Sequence, residues 1–297
     1  MPKKISSKKT IFLDCVDLFK GQKLKKWINN SLGNQFSFIF DSNKPDYLIY
    51  NKFGSRHLDS KYNKCIKIAF FTENKIPDLN EIDYALGFSH INYLDRFYMY
   101  HYSLENFFRI SLYKIIRKNN IFKNLKKKKF CAAVISNKKG FFRNKFINEL
   151  NKYKTIDMSG KYKNKVCRFV SNKIEFLSSY KFSIAMENSE ADGYTSEKIF
   201  QSFISGTIPI YFGNYMIDEY INPKSFILIK SEKDMLNKIE FIKKIDNDGE
   251  FYKQILNEKI FNNDINFKEI KKINKKKINI YFNIFNQDKS YAFRSDN

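Results

Sequence analysis

The sequence is poor in the residue types that hold metals, form cross-links or break regular structure. It has 297 residues but only four cysteines, three histidines, five prolines and ten glycines. The cysteines have no CxxC spacing and no histidine beside them, and they are Cys15, Cys65, Cys131 and Cys167. The histidines also lack metal-ligand spacing, and they are His57, His90 and His101. These absences argue against a zinc site and leave free thiols in a reducing cytosol as the expectation.

The sequence also lacks a convincing membrane span or signal peptide. One segment, Ile199–Ile217, carries no charge and has the length of a span, but Gln201, Gly206 and Pro209 interrupt it. Its hydrophobic period changes midway, so we expect a buried helix followed by a buried strand. The basic start MPKKISSKKT precedes IFLDCVDLF, which is too short and too acidic for a cleaved apolar core. The expected location is therefore the cytoplasm, with peripheral association at the inner face of the membrane left open.

Acidic residues are few compared with basic ones. The 54 lysines and arginines exceed the 31 acidic residues, for a formal charge of +23. This charge favours an anionic partner, which a nucleotide-sugar, an anionic lipid surface or a nucleic acid would all satisfy. The basic residues are mostly lysines spread along the chain, and the glycine-aromatic signatures of RNA-binding domains are absent, so we expect no nucleic acid partner. A hydrophobic content of 43% is ample for the core of one large domain or two ordinary ones.

The segment Lys181–Asn214 changes hydrophobic period twice and holds polar residues at both changes. KFSIAM, in which apolar and small residues alternate, predicts a buried strand that ends at Glu187 and Asn188. EKIFQSFI predicts a helix with Thr195 or Ser196 as its N-cap, and IPIYF predicts a second strand. A strand, helix and strand of this length form a βαβ unit with parallel strands. Ligands bind beyond the carboxyl ends of such strands.

Two cations lie where a helix favours an anion. Lys198 opens the helix of this unit, and Arg143 lies near the start of another helix expected over about Phe142–Asn151. A lone cation at a helix N-terminus destabilises the helix by about 0.3–1 kcal/mol, because the helix dipole repels it. A phosphate bound between the cation and the helix would make the arrangement favourable. Two interpretations of Lys198 stay open. It binds a pyrophosphate, or it pairs with Glu187 or Glu197 or extends into water.

These motifs resemble a known family. FSIAMENS, GYTSEK and SGTIPIYFG occur in the order and at the spacing of the donor-binding motif of the α1,3/4-fucosyltransferases, family 10 of the glycosyltransferases. The chain is similar above all to the bacterial enzymes that make Lewis antigens, and the resemblance extends more weakly over about residues 66–252. It implies the GT-B architecture, an α/β fold in which two Rossmann-like domains face each other across a ligand cleft.

The resemblance implies a role for each polar residue of the donor motif. Arg143 and Lys198 match the family residues that hold the diphosphate of GDP. Asn188 and Tyr194 match residues around the ribose and phosphates. Glu197 matches the glutamate beside the fucose ring, where its charge would bind the donor and stabilise the cation that develops in the reaction.

A general base is the remaining requirement for sugar transfer with inversion, because a carboxylate must take the proton of the acceptor hydroxyl. TENKIPD resembles the family segment that carries the proposed base, which makes Glu73 the candidate, although the family's preceding glycine is absent here. The alternative is that Glu73 is a strand-end carboxylate in a turn. No divalent metal is expected to be essential, and the DxD-like pair Asp246 and Asp248 is interpreted as part of a turn between two helices.

The rest of the chain predicts one α/β half on each side of a linker, and the first half includes short strands at Phe36–Phe40 and Tyr47–Tyr50. A helical pattern spans Ser103–Arg117, and the lysine-rich IRKNNIFKNLKKKK that follows is the linker candidate. It divides an acceptor-binding domain, residues 1–122, from a GDP-sugar-binding domain, residues 123–297. The amphipathic segment from Ile265 onward either packs back on the first domain or lies on an anionic membrane surface.

The sequence thus predicts an inverting transferase that moves L-fucose from GDP-fucose to a hydroxyl of a glycan containing N-acetylglucosamine. An α1,3 linkage and a role in surface glycan or lipopolysaccharide synthesis are expected. One alternative is a GT-B transferase with another nucleotide-sugar donor. The other is a basic protein that binds nucleic acid or coats a membrane, which would explain the charge but not three ordered polar blocks on a βαβ frame.

Overall fold

The computed structural model describes residues 8–18, 21–51, 54–71, 73–88, 93–99, 129–160, 170–262 and 267–292. By its contacts the chain divides into two compact units, which are residues 1–100 with 271–297, and residues 101–270. The predicted helix Ser103–Arg117 lies outside the described residues, as does nearly all of the lysine-rich linker. The boundary between residues 122 and 123 therefore stays a prediction.

The first unit is built on a parallel sheet, whose six strands have the order β2-β1-β3-β4-β5-β6 among the described residues. The strands are β1 (Lys9–Val16), β2 (Phe36–Phe40), β3 (Tyr47–Tyr50), β4 (Ile66–Phe70), β5 (Tyr84–Gly87) and β6 (Phe97–Met99). Helix α1 (Gly21–Leu32) connects β1 to β2. All four residues of β3 are buried, as expected for a central parallel strand that is covered on both faces.

The second unit is a Rossmann-like sheet of five described parallel strands in the order β11-β10-β9-β7-β8. Its strands are β7 (Lys129–Val134), β8 (Ile156–Ser159), β9 (Tyr180–Ile184), β10 (Ile208–Tyr211) and β11 (Ile227–Leu228). Its helices are α2 (Phe141–Asn151), α3 (Lys173–Leu177), α4 (Lys198–Ile204), α5 (Glu232–Asn247) and α6 (Gly249–Leu256). The predicted βαβ unit is confirmed, because β9 and β10 pair in parallel and α4 connects them.

The uncharged segment Ile199–Ile217 forms a buried helix followed by a buried strand, which confirms the expectation from its change of period. Among the residues that the structure describes, no helix is long and apolar enough to cross a membrane. The prediction of Thr195 or Ser196 as the N-cap of α4 is wrong, since Glu197 holds that position without a side-chain capping bond. The Thr195 hydroxyl instead bonds to the Tyr220 hydroxyl.

The last helix, α7 (Phe267–Gln287), contributes apolar side chains to the core of the first unit. The ring of Phe285 meets the ring of Tyr47 edge to face at 5.1 Å between centroids. The ammonium of Lys277, which is buried, lies 4.0 Å from the centre of the Trp27 ring. An amphipathic helix stabilises a domain when its apolar face is covered in this way. The C-terminal segment is thus part of the first unit's fold.

Candidate functional site

The polar residues of the donor motif lie at the carboxyl edge of the second unit's sheet. Strands β7 and β9 are parallel neighbours, so the loops that follow them emerge at the same edge. The loop after β7 leads to Arg143 in α2, and Glu187 and Asn188 lie in the loop after β9, which ends at Ile184. Helix α2 and the loop after β9 are joined directly, because Nη1 of Arg143 donates a hydrogen bond to Oδ1 of Asn188.

Arg143 is buried and its guanidinium folds back over the start of its own helix. Nη2 donates to the backbone carbonyls of Asn137 at 2.7 Å and Lys139 at 2.6 Å. Gly140, the N-cap of α2, has a left-handed φ of 119°, and a Cβ at this position would lie 3.0 Å from Nη2. Glycine therefore leaves room for the guanidinium, and it has no side chain to satisfy the first amides of the helix. A cation and a helix start of this kind favour a bound anion.

Lys198 is held by Glu187 and Ser196. Its Nζ donates to Oε2 of Glu187 at 2.5 Å and to Oγ of Ser196 at 2.8 Å. The other carboxylate oxygen of Glu187 accepts the backbone N–H of Ser196 at 2.8 Å. The ion pair that the alternative interpretation expected is therefore present, and contact of Lys198 with a diphosphate stays a prediction.

A network of buried side chains fixes the loop between Glu187 and α4. Oδ1 of Asn214 accepts the backbone N–H of Gly193 at 3.1 Å, and its Nδ2 donates to Oγ1 of Thr195 at 3.1 Å. The hydroxyls of Thr195 and Tyr220 are 2.7 Å apart. The Tyr211 hydroxyl accepts the backbone N–H of Asn214 at 3.1 Å. The conformation of the GYTSEK segment is thus set by residues that follow β10 in the sequence.

Lys173, the first residue of α3, is a further cation near Glu187, Glu197 and Lys198, and these four residues form a charge cluster. Burial lowers its pKa below the usual lysine value, Glu197 raises it, Lys198 lowers it and Glu187 raises it. These influences mean that Lys173 lies within electrostatic range of the carboxylates and the ammonium at the carboxyl edge. The short helix begins here because Asn172 caps it with a 3.2 Å bond from the Glu175 amide to its side chain.

The remaining predicted residues differ in exposure. Glu197 is half-buried at the N-cap of α4, and Tyr194 is a buried residue of the loop before that helix. Glu73 lies in the first unit, three residues past the end of β4, with an exposed side chain and with its carbonyl accepting the Lys75 amide at 2.8 Å. The structure therefore brings Arg143 and Asn188 together beside the Glu187–Lys198 pair, while Glu73 belongs to the other unit.

The two residues of the DxD-like pair, Asp246 and Asp248, have different structural roles. Asp246 lies in the last turn of α5 as a buried carboxylate, bound by Lys154 at 2.5 Å and Lys181 at 2.8 Å. Asp248 lies between the helices and caps α6 by accepting the amides of residues 250 and 251. In the described part of the chain no group of three or more His, Cys, Asp or Glu residues is arranged to hold a metal ion.

The sequence assigned no role in donor binding to Lys173, and it offered Glu187 only as one of two possible partners of Lys198. Glu187 directly follows an apolar strand, which marks it as a strand-end polar residue but does not decide whether it or Glu197 pairs with Lys198. Lys173 carries no such signal, since it is one of many lysines and meets the site only through the packing of α3 beside α4. Strands β6 and β8 were also not predicted, and β6 has only three residues, which are too few to show a period.

Comparison with known proteins covers both units. The model for the "Alpha-(1,3)-fucosyltransferase FucT N-terminal domain" matches residues 10–108. The model for "Glycosyltransferase family 10 (fucosyltransferase) C-term" matches residues 124–281, more than half of the chain. The chain is 30% identical over 247 residues to the alpha-(1,3)-fucosyltransferase FucT of Helicobacter pylori, covering 73% of this chain and 52% of that protein. A putative fucosyltransferase of Acanthamoeba polyphaga mimivirus is 36% identical over 149 residues, 46% of this chain and 25% of that protein.

The chain thus spans about half the length of the bacterial relative and a quarter of the viral one. Among solved structures, an α1,3-fucosyltransferase is similar at a TM-score of 0.68 and 25% identity, over 95% of this chain and 93% of that one. A structure of α1,3-fucosyltransferase with GDP is also similar at a TM-score of 0.68, with 23% identity over 94% of this chain and 92% of that one. The predicted α/β fold class, GT-B with two Rossmann-like domains, is confirmed. The two family matches, together with the relative from H. pylori, show that this chain belongs to glycosyltransferase family 10.

Proposed function

We propose that this protein transfers L-fucose from GDP-fucose to a hydroxyl of a glycan that contains N-acetylglucosamine, with inversion and in α1,3 linkage. The observation that carries the proposal is the joining of Arg143 to Asn188 beside the Glu187–Lys198 pair, at the carboxyl edge of a parallel sheet. Positive groups at this edge suit a nucleoside diphosphate, whose negative charge grows as the sugar leaves. The relatives that match the chain are named as fucosyltransferases.

The proposed reaction divides the work among a few side chains. The acceptor oxygen attacks the anomeric carbon of fucose, and the bond from that carbon to the β-phosphate oxygen breaks with its electron pair leaving on GDP. The carboxylate of Glu73 takes the acceptor's proton. Glu197 offsets the positive charge that develops on the sugar ring, while Arg143 and Lys198 offset the charge on the leaving diphosphate. Asn188 and Tyr194 contact the ribose and phosphates.

No divalent metal is needed in this scheme, since side-chain cations neutralise the diphosphate. The proposed setting is the cytoplasm, with surface glycan or lipopolysaccharide as the product and with peripheral contact to an anionic membrane surface. The +23 charge supports such contact, although it would also suit soluble anions.

The experiment that tests the proposal combines nucleotide binding with product analysis. GDP should raise the melting temperature more than UDP does, and incubation with GDP-fucose and N-acetyllactosamine should yield a fucosylated trisaccharide. Addition of EDTA should leave the rate unchanged. Stabilisation by UDP but not GDP would instead favour a GT-B transferase with another donor, and stabilisation by RNA alone would favour the basic binding protein.

The role of Glu73 is tested by Glu73→Gln, which preserves shape but removes the basic carboxylate. General-base catalysis contributes about 10²–10⁴-fold, so kcat should fall by at least about a hundredfold while GDP affinity stays unchanged. Glu81→Gln, a neighbouring exposed carboxylate in the same unit, serves as the matched control. Equal activity of the two variants would leave Glu73 as a carboxylate in a turn.

A further inference from the structure

Glu187 is the most enclosed charge at the carboxyl edge of the second sheet among the described residues. Glu187 as a whole is 1% exposed to solvent, and its side chain is fully buried. A buried carboxylate without a partner is costly, so Glu187 requires the cation of Lys198 and the amide of Ser196. Ser196 lies in the loop before α4 and Lys198 is the first residue of that helix, while the Glu187 backbone N–H donates to the Phe212 carbonyl at 2.8 Å, beyond the end of β9. One carboxylate therefore ties the donor loop to the sheet.

The side chain of Glu187 is closely packed against the segment at the end of the neighbouring strand. Gly213 faces it from the end of β10, and a Cβ at residue 213 would lie 2.6 Å from Cγ of Glu187 and 2.9 Å from the Tyr211 hydroxyl. Any larger residue there would displace the Glu187 side chain. The space around Glu187 is thus shaped by Tyr211 of β10 and by Gly213 just after it, and the two carboxylate oxygens accept from Ser196 and from Lys198 at the start of α4.

Lys198 is fixed by two hydrogen bonds and still has one N–H donor available for a ligand. A lysine ammonium has three N–H donors, of which one goes to Glu187 and one to Ser196. The third has no partner among the described residues, and the Lys198 side chain is 21% exposed. An ammonium fixed by two bonds and open at the third can bind an anion without losing either bond. Its side-chain entropy has already been lost before the ligand arrives.

We infer that Glu187 is a positioning residue for the donor diphosphate, which acts by holding Lys198 with one N–H directed outward. The inference rests on the proposed function, because it assigns the outward N–H to a phosphate oxygen of GDP. It predicts that Glu187 contributes to GDP affinity only through Lys198. A carboxylate that merely stabilised the fold would not show that dependence.

The test is a double-mutant cycle on GDP binding, measured by isothermal titration calorimetry with the full chain. Glu187→Gln still accepts the Ser196 amide but turns an N–H₂ group toward the ammonium, which displaces Lys198. Glu187→Gln and Lys198→Met should each raise the Kd for GDP by about tenfold, and the double variant should be no weaker than Lys198→Met alone. Ser196→Ala keeps the backbone amide and should cause a smaller loss in the same direction.

Asp246→Asn is the matched control, because it also removes a buried carboxylate that binds lysine in the same unit. It should lower stability and leave GDP affinity unchanged. Unchanged or tighter GDP binding by Glu187→Gln would overturn the inference, as would a loss that adds fully to that of Lys198→Met. If the wild-type chain binds no GDP at all, the proposed function itself fails, whereas wild-type binding with an unaffected Glu187→Gln variant refutes only this inference.

Discussion

Replacement of Asp246 by asparagine should lower the stability of the second unit substantially. The Asp246 side chain is 2% exposed and accepts Lys154 Nζ at 2.5 Å, Lys181 Nζ at 2.8 Å and the Tyr153 hydroxyl at 3.1 Å. Burial by itself opposes ionisation, but the bonds from Lys154 and Lys181 outweigh it, so the pKa of Asp246 lies below its usual value. The asparagine variant keeps one acceptor oxygen and places N–H donors against a positively charged donor.

The magnitude follows from the exposure of the two lysines. Breaking a fully buried ion pair costs about 3–5 kcal/mol, but that range assumes that the partner charge stays buried. The side chains of Lys154 and Lys181 are 46% and 24% exposed, so both ammonium groups can turn toward water. We therefore expect a loss of about 2–3 kcal/mol. In a unit of this size it corresponds to a decrease of about 5–10 °C in Tm.

The loss should depend on pH with a defined sign. A carboxyl group whose folded-state pKa is depressed contributes stability above its unfolded pKa, about 3.9, and loses it as pH falls through the folded value. The difference in the free energy of unfolding between wild type and Asp246→Asn should therefore be complete at pH 7 and shrink below about pH 4. Urea unfolding followed by circular dichroism measures it at each pH.

Asp248→Asn provides the control, since it makes the same chemical change two residues away. Asp248 is exposed and caps α6, and asparagine caps helices nearly as well, so this variant should stay within about 0.5 kcal/mol of wild type. A difference below that size for Asp246→Asn at pH 7, or one that persists undiminished to pH 3, would refute the reasoning.

Three further predictions concern the cations. Arg143→Lys should raise the Kd for GDP about tenfold by calorimetry, because an ammonium cannot reach Asn188 and the loop carbonyls together. Lys173→Met should weaken GDP binding severalfold. Since only the charged form attracts the diphosphate, wild-type affinity should fall as pH rises toward the lowered pKa of Lys173, and the variant should lack that dependence. Lys277→Met should destabilise the first unit by about 1 kcal/mol in urea unfolding followed by Trp27 fluorescence. An unchanged Kd for Arg143→Lys would contradict the first prediction. A pH profile of Lys173→Met equal to that of wild type would contradict the second, and an unshifted urea midpoint of Lys277→Met would contradict the third.

Much of the fold could be predicted because periodicity is a local property. The strands Phe36–Phe40 and Tyr47–Tyr50 have the same bounds in the sequence prediction and in the structure. The βαβ unit and the strand-to-helix position of Arg143 also follow from the spacing of apolar residues. Each of these features depends on residues within one or two turns of each other, so the pattern is recorded in a short stretch of chain.

The side-chain partners could not be predicted in the same way. Thr195 and Ser196 have the right chemistry for an N-cap, but Tyr220 binds the hydroxyl of Thr195, and Lys198 donates to that of Ser196. The interpretation of Asp246 as a turn residue failed for the same reason, since lysines from two other segments bind it within a helix. The type of a residue indicates which hydrogen bonds its side chain is able to form. The neighbours that tertiary packing brings close determine which of these bonds form.

The sequence by itself determined the family, the order of the strands and helices around the donor motif, and the residue types that meet at the carboxyl edge of the second sheet. Tertiary structure alone decided that Glu187 rather than Glu197 holds Lys198, that Lys173 joins the charge cluster, and that α7 completes the first unit. The physical reason is distance along the chain. A hydrophobic period is a pattern of residues a few positions apart, so it can be recognised in the sequence. Ion pairs and packing contacts form between distant segments that only the folded sheet brings together.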